Sequence, residues 1–169
     1  MRSLIAVLAC LIAAGAQAEG FAQRDLRTVA GEATASLEAS LGGRIASRAE
    51  PGRLTLTCPD CAGGPMIDLL IGRQTDGTEE RVRSGRTSMA QLEALCQARS
   101  PDCRLSGLPV APAVGWITTY AIGKTAGSTA IILRDGDMLT IRSLASDGAI
   151  ARRNAETLAR SVAPRIVGR

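Results

Sequence analysis

Cysteine occurs five times in this 169-residue chain, and histidine does not occur at all. Two thiols stand close together in Cys58-Pro59-Asp60-Cys61, and two more follow at Cys96 and Cys103. A pair at that spacing is suited to disulfide exchange or to a soft metal ion, because both chemistries use the thiolate. The missing histidine narrows the field. No histidine general base is available, so serine or cysteine triads of the usual kind cannot be assembled. A c-type haem would need a histidine directly after its second cysteine, and Cys61 is followed by Ala62. Zinc hydrolase sites with histidine ligands are excluded as well. Carboxylate, thiol, lysine and arginine chemistry remain.

The string Cys58-Pro59-Asp60-Cys61 is similar, over its four residues, to the redox motif of glutaredoxins and periplasmic oxidases. That likeness implies thiol-disulfide exchange at Cys58 and Cys61. Such a pair works best where the second cysteine enters a helix, whose amino terminus lowers a thiol pKa. Here Cys61 runs into Ala62-Gly63-Gly64-Pro65, which cannot begin a good helix. A four-thiolate zinc site would need a second close pair, yet six residues separate Cys96 from Cys103. Structural disulfides are therefore the leading expectation, and three connectivities are open. Bridges from Cys58 to Cys61 and from Cys96 to Cys103 would close short loops and contribute about 2 and 2.5 kcal/mol. Crossed bridges would constrain the unfolded chain more, by about 4 kcal/mol each. Geometry favours the short loops, since bridged Cα atoms must lie within roughly 7 Å. The redox pair Cys58 and Cys61 and a soft-metal carrier stand as alternatives.

Other reactive groups have plainer explanations. Gly123-Lys124-Thr125 resembles the end of a phosphate loop, but the required earlier glycine is replaced by Thr118. Lys124 has Ala121 three residues upstream, so it does not form a Ser-x-x-Lys nucleophile. Asp135 and Asp137 bracket Gly136, where Asp-Gly is the chemistry of a tight hairpin turn. Asp68 interrupts an apolar strand, and alternation places it opposite Ile67, Leu69 and Ile71, facing outward. No catalytic, metal-binding or cofactor-binding residues are assigned.

Arg2, the apolar run from Leu4 to Ala14 and the small residues Ala16 and Ala18 have the order of a signal peptide, with cleavage expected after Ala18. The run is shorter than the roughly 20 apolar residues that span a bilayer. Cys10 suggests a lipoprotein cut, but that would leave a very short apolar segment. Residues 19–169 then form a single domain large enough for its own core. The whole chain carries 20 basic and 16 acidic residues, and loss of Arg2 leaves a net charge of +3. With Phe21, Trp116 and Tyr120 as the only aromatics, a nucleic-acid surface is not expected. Disulfides in a chain with a leader place it in the periplasm or outside the cell.

The elements that must position these residues follow from periodicity. Leu26, Ala30, Ala33, Leu37 and Leu41 mark a helix between residues 21 and 41, ended by Gly42-Gly43. Residues 44–49 and 53–58 flank Pro51-Gly52 as a hairpin, and 66–74 is a further strand. Asp76-Gly77 is expected to turn the chain into a charged edge strand over 78–84. Ser88 and Gln91 form a capping box for a short helix with Met89, Leu92, Leu95 and Cys96 on one face. Strands are expected over 104–110 and 114–122, then a hairpin over 130–144 turned by Asp135-Gly136. Asp147 caps a last helix that buries Ala151, Ala155, Leu158, Ala159 and Val162, with Pro164 closing it.

Arg73, Asp76-Gly77 and Val82-Arg83-Ser84 are echoed by Arg134, Asp135-Gly136 and Ile141-Arg142-Ser143. This suggests pseudo-repeats over 21–84 and 88–163, in the order helix, four strands, helix, four strands, helix. The expected class is α+β, with mostly antiparallel sheet and three helices. The expected role is an exported, non-catalytic binding or accessory protein of the bacterial envelope, stapled by two disulfides. Its partner would be a protein, peptide or lipid, with no nucleic acid and no membrane span in the mature chain.

Overall fold

The computed structural model describes residues 20–168, so the expected leader and Cys10 lie outside the described residues. A 3-10 turn at Leu26–Val29 runs into α1 (Ala30–Leu41), followed by β1 (Ala46–Glu50), β2 (Arg53–Thr57) and β3 (Met66–Arg73). Two short helices come next, α2 (Thr78–Arg83) and α3 (Met89–Gln97). The chain continues through β4 (Arg104–Gly107), β5 (Val114–Ile122), β6 (Thr125–Arg134) and β7 (Asp137–Ala145) to α4 (Gly148–Val167). All seven strands join one antiparallel sheet in the order β1-β2-β3-β7-β6-β5-β4. The class is α+β, as the periodicity predicts.

Two meanders build this sheet. Pro51-Gly52 turns β1 into β2, and Asp135-Gly136 turns β6 into β7 with both residues at positive φ, 52° and 81°. That is the backbone a two-residue hairpin requires. The meanders meet where Met66–Arg73 of β3 pairs with Asp137–Leu144 of β7. Alternation along the strands directs Leu54, Leu56, Ile67, Leu69, Ile117, Ile132, Leu139 and Ile141 to one face, where all are fully buried. There α4 packs across β5, β6 and β7, and α1 packs against α4. Leu26, Val29, Ala33 and Leu37 from the first helical segment, and Ala155, Leu158 and Val162 from α4, complete the core.

Several local signals act as predicted. The Ser88 hydroxyl accepts from the Gln91 N–H while the Gln91 side chain accepts from the Ser88 N–H. Asp147 accepts from the Ile150 N–H at 2.9 Å and starts α4. Gly42, at φ 71°, ends α1. The first and last described segments also meet: the Gln23 N–H donates to the Ile166 carbonyl at 3.0 Å.

Four expectations need correction. Residues 78–83 are helical, because the Asp76 carboxylate accepts from the Thr78 N–H at 2.9 Å and Glu79 pairs with Arg83 at 2.7 Å one turn on. The proposed duplication is absent from the architecture: three strands and then two short helices lie between α1 and β4, whereas four consecutive strands, β4 to β7, and no helix lie between α3 and α4. On α3 the predicted apolar face is only partly covered, and Leu95 is 65% exposed. Pro164 lies inside α4, which continues because Ile166 and Val167 are buried and the Arg134 guanidinium donates to the Val167 carbonyl at 2.6 Å.

Both sheet edges are short and partly blocked by glutamates. Next to β1 the Ile45 N–H donates to Glu38, and on β4 the Leu105 N–H donates to Glu93, each at 3.1 Å. Side-chain oxygens thus occupy donors that could recruit another strand.

The core assignment predicts unequal costs on α-helices of similar chemistry. Leu158→Ala should lower the unfolding free energy by about 2–5 kcal/mol, whereas Leu95→Ala should change it by about 0.5 kcal/mol or less. Urea unfolding followed by circular dichroism measures both, and equal midpoints for the two variants would contradict this core.

Candidate functional site

Cys58 and Cys61 are bonded to each other, with Cα atoms 5.3 Å apart, and Cys96 is bonded to Cys103, with Cα atoms 5.8 Å apart. This is the connectivity favoured by loop geometry. Cys58 is fully buried and Cys61 is 9% exposed. Gly43, after α1, covers the pair: a Cβ at that position would stand 2.5 Å from the Cys61 sulfur and 3.0 Å from the Cys58 sulfur. Beyond Cys61 the chain makes turns through Gly63 and Gly64, both at positive φ, and no helix begins there. The pair therefore lacks both the access and the helix amino terminus that activate a redox thiol. The second bridge ties the end of α3 to the start of β4.

Asp68 departs from expectation. It does face away from α1 and α4, yet only 2% of its side chain is exposed. Arg53 reaches its Oδ1 at 2.9 Å, the Thr55 hydroxyl donates to the same oxygen at 2.8 Å, and Arg142 reaches Oδ2 at 2.9 Å. These partners come from the neighbouring strands β2 and β7, so pairing register brings them together. Burial works to raise the Asp68 pKa, but the contacts with Arg142, Thr55 and Arg53 outweigh it and hold the carboxyl below its usual range.

Asp135 takes the left-handed position of the β6–β7 turn. Asp137 is buried on the helix-covered face, where it accepts from the Phe21 N–H and from Arg24, each at 2.8 Å, and from Arg73 at 3.2 Å. Both carboxylates thus have structural partners. Lys124 is exposed in the β5–β6 turn. Among the described residues no cluster of three or more cysteines and carboxylates has the arrangement of a metal site.

Two concavities stand out among the described residues. One, of about 380 Å³, lies between the β3–α2 connection and the β6–β7 turn, and its charges are engaged internally. Glu79 there accepts from the Gly136 N–H at 3.0 Å and from Arg83 at 2.7 Å. The other, of about 370 Å³, lies between the β4–β5 loop and α4. Its walls are apolar: Leu108, Pro109, Val110 and Ala111 face Ala159, Ala163 and Val167. A concave, mostly apolar void with a few polar groups at its rim has the form of a small-molecule site.

The sequence forms this cavity in a simple way. Positions 159, 163 and 167 lie four residues apart and make one ridge of α4, while 156, 160, 164 and 168 make the next. Alanine at 159 and 163 leaves the ridge low beneath the loop. The loop is held from both sides, since the Arg83 guanidinium donates to the Pro112 carbonyl and Arg152 donates to the Ser106 hydroxyl, each at 2.8 Å. Glu156 and Arg160 are the charged residues of the rim. Sequence analysis does not single out any of these residues as a site. The strand expected over 104–110 ends at Gly107, so Leu108-Pro109-Val110-Ala111 leave the sheet as a loop, and Pro109 within an apolar run was the available signal.

Two measurements follow from these geometries. Native protein should react with a soluble thiol reagent only after reduction under denaturing conditions, and rapid reduction of Cys58–Cys61 in the folded state would contradict its burial. Asp68 has a folded pKa below its unfolded value, so its contribution is fully present above about pH 4 and is lost as pH falls through the folded value. Asp68→Asn should therefore cost about 1–3 kcal/mol at pH 7 and flatten the further loss of stability on acidification. Urea midpoints at neutral and acidic pH test this, and a variant as stable as wild type at pH 7 would refute it.

No protein-family model matches this chain, and no curated protein matches it significantly.

Proposed function

We propose that this chain is an exported, non-catalytic binding or accessory protein of the bacterial envelope that takes its ligand in the cavity between the β4–β5 loop and α4. The cavity itself carries this reading. It is lined mainly by apolar residues, and Arg83 donates to the Pro112 carbonyl of its loop while Arg152 donates to Ser106 of β4, just before the loop. A preformed apolar site loses little conformational freedom on binding. Two disulfides support the exported part of the reading, because such bonds persist in oxidising compartments. Among the described residues no helix is long and apolar enough to cross a membrane.

The redox alternative, with Cys58 and Cys61 as the working pair, is disfavoured by the cover that Gly43 places over both sulfurs. A soft-metal carrier would need those same thiols reduced and released.

The neutral fluorophore N-phenyl-1-naphthylamine provides a direct test. Its emission should rise on adding native protein, and Leu108→Ala and Val110→Ala, which shorten partly exposed wall residues, should each weaken binding by about fivefold or more with unchanged circular dichroism. Wild-type affinity in both folded variants would rule out this cavity as the binding site.

A further inference from the structure

We infer that the cavity beside α4 takes a single-chain amphiphile with an anionic head, its tail against Leu108, Pro109, Val110 and Ala111 and its head on Arg160. This rests on the binding reading above and adds the ligand class to it. The first observation is shape. The lining residues of α4 run from Glu156 to Val167, about 17 Å of helix at 1.5 Å per residue. A void lined along some three turns of helix suits an extended hydrocarbon chain better than a compact ring.

The second observation is how charge is distributed at the rim. Glu156 is well occupied, because Arg152 donates to its Oε1 at 2.7 Å. Arg152 in turn is spent on Glu156 and on the Ser106 hydroxyl. Arg160 is different. It reaches Glu156 at 3.8 Å, beyond hydrogen-bond distance, and its side chain is 69% exposed. A cationic head entering here would meet a carboxylate flanked by two arginines. An anionic head would meet a guanidinium with donors to spare, the geometry that binds carboxylate or phosphate in two-pronged fashion.

The position of Arg160 sets the direction. It stands about two turns before Val167, towards one end of the α4 lining, so a head held there leaves the tail to point towards Gly168. The apolar wall of Leu108, Pro109, Val110 and Ala111 then covers the tail.

Calorimetric titration of the native protein with decanoate, decanol and decyltrimethylammonium, each below its micelle concentration, tests the inference. Decanoate should bind about tenfold tighter than the ammonium compound, and octanoate should bind more weakly than decanoate by about fourfold for each methylene removed. Arg160→Gln should bring decanoate level with decanol, and Arg160→Lys should restore part of the preference. Equal binding of all three compounds to wild type would overturn the anionic class while leaving the cavity as a binding site. A decanoate preference unchanged in Arg160→Gln would overturn the role of Arg160. Binding of none of the three would remove the binding reading itself.

Discussion

Everything in this molecule hangs on the pairing of β3 with β7. The two strands are separated by more than sixty residues, yet they share an eight-residue antiparallel register from Met66–Leu144 to Arg73–Asp137. Without it the chain would hold a three-stranded and a four-stranded meander, each with an exposed apolar face and neither with a helix layer wide enough to cover it. With it, Leu69 and Ile141 become neighbours and α4 can lie across a continuous apolar floor. The same register sets Asp68 beside Arg142 and brings Asp137 beside Arg73. Such long-range pairing forms only after a large loop has closed, so it belongs to the slow part of folding.

Local chemistry was legible in the sequence where the deciding partner lay within a few residues. Ser88 with Gln91, Asp147 before α4 and Asp135-Gly136 each determine a backbone conformation through contacts inside one turn. Asp76-Gly77 shows the limit of that reading. The same dipeptide that turns β6 into β7 here precedes a helix, because Glu79 and Arg83 follow at helical spacing and Gly136 offers its N–H to Glu79 from across the fold. Asp68 was legible as a face assignment but not as a buried ion cluster, since Arg53 and Arg142 arrive only through strand register. The apparent repeat misled for a similar reason: hairpin turns and helix caps recur in any antiparallel meander, so their spacing carries little information about ancestry.

The cavity was invisible at that stage on different grounds. Ala159 and Ala163 read as ordinary members of a buried helix stripe, and both are in fact almost fully covered. What makes this stretch of α4 a cavity wall is the loop at Leu108–Ala111 beside it, and that loop leaves the sheet between β4 and β5. Here the disulfides contribute indirectly. Cys96–Cys103 fixes where α3 hands over to β4, and β4 leads straight into the cavity wall. This bridge, which sequence analysis reads as structural, thus helps to position an apolar surface.

The contact between Gln23 and Ile166 has a mechanical consequence. It joins the first described segment to the last turn of α4, while Asp137 grips the same segment through the Phe21 N–H and Arg24. Peripheral segments of most domains loosen independently and at little cost. Here loosening either segment releases the other, takes two of three partners from a buried carboxylate and exposes the last turn of the helix beside the cavity. The two segments therefore behave as one clasp, and its opening couples the periphery of the fold to its interior.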